Sequence, residues 1–187
     1  IHIIFVLLKL KIMKDLLRKQ TSLKEEIEIL LNTQSKIESD ASSKYLAMAS
    51  WLDRNGFQNT AEYLYKQSVE EREHFLKIFR YITEMGGVAI TPTVGEVQQE
   101  FSSLKQVFEV ALQNEIAVTN AVNKVVAKCR LENDYATEEF MMWYVKEQRE
   151  EERNARRALE LFDLIDENAA SGRFELDKQI AKIGSQE

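Results

Sequence analysis

A carboxylate and an imidazole three residues apart on a helix share one face, and together they can hold a single metal ion. The stretch VEEREHF, residues 69–75, offers that pair as Glu71 and His74, with Glu70 and Glu73 beside them. Mixed oxygen and nitrogen ligation suits iron, manganese or zinc more than calcium. One such pair is a weak signal, because a charged helix face is usually a solvated one. It gains weight from Glu38, Glu115, Gln148 and Glu151, each of which also interrupts an otherwise apolar stripe.

The stripes belong to four long segments whose apolar residues recur in steps of three and four, the spacing of one helix face. The first runs Ile27, Leu30, Gln34, Glu38, Ala41, Tyr45, Met48, Leu52, with Thr21 or Ser22 as candidate caps and DRNGF as its end. The second runs Phe57, Ala61, Leu64, Ser68, Glu71, Phe75, Ile78, Ile82 and stops at Gly86 and Gly87. The third, from Ser102 or Ser103, runs Phe101, Leu104, Phe108, Ala111, Glu115, Val118, Val122, Val125, Cys129. The fourth, after LENDY, runs Met141, Tyr144, Gln148, Glu151, Ala155, Ala158, Phe162, Ile165. The short joint at Gly56 predicts antiparallel neighbours. VAITPTVGEVQQE, with Pro92 and Gly95, reads as a long crossover between the second and third helices, and SGRFELDKQIAKI as a short fifth helix after Ser171 and Gly172. The fold class is all-α: a four-helix bundle with one crossover and a C-terminal fifth helix.

Packing four such helices brings their polar interruptions to similar heights. Ionised carboxylates in a core are costly unless protonated or paired, and close carboxylates raise one another's pKa. No Lys or Arg lies on the four seams near this layer. A divalent or trivalent cation would neutralise it. Tyr45, two turns from Glu38, could hydrogen-bond an oxygen species on the metal or donate an electron, though a core phenol is also ordinary packing. Glu147 and Glu150 flank Gln148 and Glu151, and Glu70 is their counterpart on the second helix, so the layer can extend outward. The rival reading is a non-catalytic scaffold whose buried polar layer fixes helix register. A third, an oxygenase acting on an organic substrate, needs an apolar pocket beside the metals, and the seams show no run of small residues to form one.

Composition narrows the partners. The 187 residues are 44% hydrophobic and 30% charged, with one proline, a net charge of −6 and a pI near 5.2. An acidic chain is a poor general binder of nucleic acid or anionic membrane, but it attracts cations. Cys129 is the sole cysteine, which excludes an intrachain disulfide or a CxxC metal knuckle and fits a reducing, cytoplasmic setting. IHIIFVLLKLKI is too short to span a bilayer and lacks the basic start of a signal peptide. Residues 1–12 therefore read as a non-native or flexible extension ahead of Met13, and residues 13–187 as one domain; a peripheral or partner-binding tail is the alternative.

The stretches LNTQSKIESDASSKYLAMASW, AEYLYKQSVEEREHF, LQNEIAVTNAVNKVV and DYATEEFMMWYVKEQREEE, with the fifth helix, resemble the non-haem bacterial ferritins over roughly residues 16–183. The resemblance implies a ferritin-like di-iron site. In it Glu38 and His74 ligate a first iron, Glu71 bridges, and Glu115 and Glu151 ligate a second iron beside the Gln148 amide and the Tyr45 phenol. Glu70, Glu147 and Glu150, with Glu151 shared, correspond to that subfamily's third iron site. The implied activity is ferroxidase: Fe(II) is oxidised by oxygen or peroxide and stored as ferric mineral within a homo-oligomeric shell of 24 subunits with octahedral symmetry. Asp134, Glu138 and Glu139 fall where the family has its three-fold pores, and the fifth helix would surround the four-fold axis. Bacterioferritins carry a second Glu-x-x-His on the fourth helix, where this chain has Gln148 and Glu151, and a haem-ligating Met after the bridging Glu, where it has Arg72. Haem is therefore not expected. Rubrerythrins need a CxxC domain that one cysteine cannot supply.

Overall fold

A computed structural model describes residues 20–183, and the expectation for residues 1–12 falls outside them. Four long helices, α1 (Glu25–Arg54), α2 (Gln58–Glu84), α3 (Leu104–Glu132) and α4 (Tyr135–Glu160), precede a 3-10 turn (Leu161–Asp163) and a short α5 (Ala170–Ile180). The described residues contain no strand.

Each helix begins and ends for a local reason. Ser103 accepts the Gln106 amide at the start of α3, and Asp134 accepts the Thr137 amide at the start of α4 (both 3.1 Å). Gly86, at φ +82°, takes the left-handed turn that closes α2. The expected caps of α1 are not caps. Its N-cap is Lys24, which makes no side-chain bond. Thr21 instead accepts from the Leu23 amide and donates to the Met85 carbonyl, tying the start of α1 to the end of α2. The α1 stripe passes through Leu31, fully buried, and Leu30 is only half-buried. Ser171 and Gly172 lie inside the first turn of α5 rather than before it, and Phe162 and Ile165 lie beyond the end of α4.

Helices α1 and α2 are antiparallel, as are α3 and α4. The crossover between Glu84 and Leu104 has no regular structure and runs beside α1 from its start to its end. Asn32 clamps it, donating to the Val88 carbonyl (3.0 Å) and accepting the Ile90 amide (2.7 Å). Further along, Lys36 donates to the Thr93 carbonyl (3.2 Å) and Arg54 pairs with Glu100 (3.1 Å). A link of this length returns the chain to the α2 start end, so α3 runs antiparallel to α1 and α2 antiparallel to α4.

The apolar interior is two clusters. One holds Met48, Leu52, Leu64, Leu104, Phe108 and Ala158. The other holds Ile27, Leu31, Ile78, Val122, Cys129 and Met141. Between them, at mid-height on all four helices, lie Gln34 and Glu38, Glu71 and His74, Glu115, and Gln148 and Glu151, each no more than 4% exposed. No helix among the described residues is long and apolar enough to cross a membrane.

Helix α5 packs Leu176 and Ile180 into the first cluster. Asp177, also buried, accepts the Asn59 and Thr60 amides (3.2 and 2.8 Å) and the Asn59 side-chain amide (2.6 Å). Those backbone groups belong to the first turn of α2 and have no partner within their own helix. A carboxylate is also favoured at the positive end of that helix. Asp177→Ala is expected to lower stability by about 1–2 kcal/mol in urea unfolding, because it strands the buried Thr60 N–H and removes the bonds to Asn59. Asp177→Asn, which keeps an acceptor, is expected to lose less.

Candidate metal centre

The polar layer is assembled from all four helices, and the trio at its centre is Glu38, Glu71 and His74, with ligand atoms within 4.8 Å of one another. His74 Nδ1 stands 3.3 Å from Glu71 Oε2 and 3.9 Å from Glu38 Oε2. Gln34, one turn before Glu38, donates its side-chain amide to Glu38 Oε1. The facing atoms Glu38 Oε2, Glu71 Oε2 and His74 Nδ1 are buried and have no hydrogen-bond partner while both carboxyls are ionised; a proton on Glu38 would be shared with Glu71, and the Tyr144 hydroxyl lies against Glu38. Buried polar atoms are nearly always paired, so a convergent unpaired set of two carboxylate oxygens and an imidazole nitrogen is a donor set suited to a cation.

Glu115 and Glu151 complete the layer on the other side. Tyr45 donates its hydroxyl to Glu115 Oε1 (2.5 Å), and the Gln148 amide reaches Glu115 Oε2 (3.4 Å). Thr119 in turn donates to Gln148 Oε1 (3.1 Å), which fixes the orientation of that amide. Burial pushes the Glu115 carboxyl up to about 7, against the Tyr45 hydrogen bond that favours its charged form. Burial, reinforced by Glu115 and Glu70, pushes Glu151 up to about 9. Glu38 and Glu71 are also held well above the usual carboxylate range, chiefly by burial. The Tyr45 phenol is pushed up by burial and by Glu115, which keeps it protonated and donating. No Lys or Arg among the described residues forms an ion pair with any of these four acids. Without a cation, the layer must hold protons instead.

The expected outer acids divide. Glu70 and Glu147, both half-buried, join His74 in a second group within 4.8 Å. Gln67 donates to Glu70 (2.8 Å). Glu150 is not in that group; Arg153 lies against it (3.4 Å), although it still acts electrostatically on Glu151. Asp134 caps α4, accepting also from the Thr137 hydroxyl (2.8 Å), and Glu138 pairs with Arg130 (2.8 Å), while Glu139 is exposed. Arg72, beside Glu71, lies over the Phe75 ring at 4.9 Å.

Four contributors are not singled out as site residues by the sequence: Gln34, Trp143, Tyr144 and Lys77. Gln34 orients Glu38; its four-residue spacing on the same seam was the available signal. Trp143 and Tyr144 stack on one another (5.4 Å), and each meets the His74 ring edge-on at 5.3 Å, so they set the plane of the imidazole. Lys77 covers the outer face of Trp143, its ammonium 3.1 Å from the ring centroid. The crevice beside Tyr45 and Glu151 has a volume of about 10 Å³, too small for an organic substrate.

A four-helix bundle with a crossover, a fifth helix and a carboxylate and histidine layer at its centre defines a ferritin-like architecture. Residues 29–165 match the Ferritin-like domain family, and the chain belongs to that family. It is 34% identical over 163 residues to a bacterial non-heme ferritin-like protein of Haemophilus influenzae, covering 87% of this chain and 98% of the relative. It is 33% identical over 161 residues to a bacterial non-heme ferritin of Campylobacter jejuni, covering 86% and 96%. Among solved structures it superposes on an open pore ferritin of the archaeon Archaeoglobus fulgidus with a TM-score of 0.82 at 33% identity, over 86% of this chain and 98% of that one.

Proposed function

We propose that this protein stores iron, oxidising Fe(II) to Fe(III) at the mid-bundle layer and depositing it as ferric mineral inside a 24-subunit cage. The observation that carries the reading is the unpaired buried trio Glu38 Oε2, Glu71 Oε2 and His74 Nδ1, with Glu115 and Glu151 across the layer. Iron is the substrate here. Glu38 and His74 hold the first Fe(II), Glu115 and Glu151 the second, and Glu71 reaches both. Hard carboxylate oxygens favour Fe(III) over Fe(II), which assists loss of an electron from each ion to oxygen or peroxide. Gln34 and Tyr45 hold the Glu38 and Glu115 carboxylates in place. With a single imidazole, the site retains its oxidised product weakly, and Glu70 and Glu147, with Glu150 further out, form a route away from it. The acidic surface draws in Fe(II). The single thiol, Cys129, is buried, consistent with a reducing cytoplasm.

Copies of the chain close a shell by symmetric contacts. Light scattering on the purified protein is expected to give a mass about 24 times the 21.7 kDa chain. A stable monomer or dimer would remove storage while leaving iron binding possible. The scaffold reading predicts an unchanged absorbance on adding Fe(II) in air and full tolerance of Glu38→Gln. Metal analysis after aerobic loading separates the two.

A further inference from the structure

A cavity outside the acid layer lies where the C-terminal half of α4 meets α5. It has a volume of about 390 Å³, and its wall carries Arg153, Arg157 and Lys182 against one carboxylate, Glu150. In a chain of net charge −6 this is a local reversal of sign. Arg153 lies on Glu150 (3.4 Å) and Arg157 on Glu160 (2.8 Å), while Lys182 forms no ion pair among the described residues. Cations near helix C-termini are favourable by themselves, which would account for Arg157 and Lys182 singly. It does not account for Asn154. That side chain lines the same cavity, is 8% exposed, and makes no hydrogen bond among the described residues. Its amide atoms are not sealed from water, so the side chain opens onto the cavity with its donors free to bind.

The geometry points to a tetrahedral oxyanion of the phosphate class bound in this cavity, held by Arg153, Arg157 and Lys182 and hydrogen-bonded by the Asn154 amide. Guanidinium groups match phosphate oxygens in pairs, and an ammonium adds a point charge. Leu161 and Ile183 supply an apolar edge, which suits free phosphate and the head of a phosphate monoester alike. The site does not depend on the iron reading. Glu150 connects the two regions, since it neighbours Glu151 in the layer and Arg153 in the cavity.

The test is equilibrium dialysis of metal-free, full-length protein with inorganic phosphate, and in a parallel arm with glycerol 3-phosphate. Saturable binding near one equivalent per chain is expected, competed by sulfate. Losing one charged contact should weaken it about tenfold, so Lys182→Gln and Arg157→Gln are each expected to bind about tenfold more weakly. Asn154→Leu, with helix content checked by circular dichroism, is expected to weaken it as well. Arg156→Gln, which alters a cation outside the cavity wall, is expected to leave it unchanged. Binding of the free anion alone means the cavity closes round the oxyanion; binding of both means its apolar edge stays open to the ester. Absence of saturable binding in both arms, or equal losses in Arg156→Gln and Lys182→Gln, would overturn the proposal.

Discussion

Replacing Glu71 and His74 together with alanine is expected to slow Fe(II) oxidation at two irons per chain by roughly 100-fold or more, since even altering a residue behind the ligands typically costs 10–100-fold. The expectation follows from position. Glu71 belongs to the central trio and is coupled electrostatically to both Glu115 and Glu151, so its loss separates the two halves of the layer. His74 supplies the imidazole nitrogen. Stopped-flow absorbance under air gives the rate, and an unchanged cage mass would show that the effect is chemical and not architectural. Wild-type speed in the double variant would defeat the ferroxidase assignment. The bundle should survive, because removing buried carboxylates without their cation also removes a desolvation cost.

The second large effect is on stability. In the metal-free protein, the folded-state pKa of Glu115 is raised to about 7 and that of Glu151 to about 9, from an ordinary value of 4.5. Between 4.5 and those values the folded chain holds protons that the unfolded chain has released. Stability from these groups is therefore fully present below about pH 4.5 and is lost as pH rises through 7 and then 9. Urea midpoints of the metal-free protein should fall between pH 5 and pH 8.5, and Glu115→Gln should flatten that fall. A bound divalent cation should reverse the slope, because the ligand oxygens are then occupied by metal and protons compete for them. A metal-free midpoint that rises over the same range would contradict a proton-filled layer.

Much of this was legible in the chain because a helix seam is a one-dimensional object. Steps of three and four place Glu38, Glu71, Glu115 and Glu151 on buried faces, and all four are buried. The α2 and α3 seams are buried along their whole length. Contacts between helices are a different matter. Nothing in the spacing of Tyr45 indicates that its hydroxyl would reach Glu115, 70 residues away, instead of Glu38 on its own helix. The acidic run alone does not indicate that Arg153, one turn along the same helix, lies against Glu150. The reading of α1's start failed for a similar reason. Thr21 has the chemistry of a cap, yet the Met85 carbonyl at the end of α2 offers it a tertiary partner. Leu30 and Leu31 are adjacent and chemically alike, so only packing decides which faces inward.

The Asp177 clamp bears on assembly. Because its carboxylate answers the first turn of α2 within one chain, α5 holds its orientation before any neighbour arrives. Phe174, 64% exposed, is thus presented on a helix that is already anchored. In the proposed shell, copies docking on this surface would lose little conformational freedom, leaving more of the contact energy for assembly.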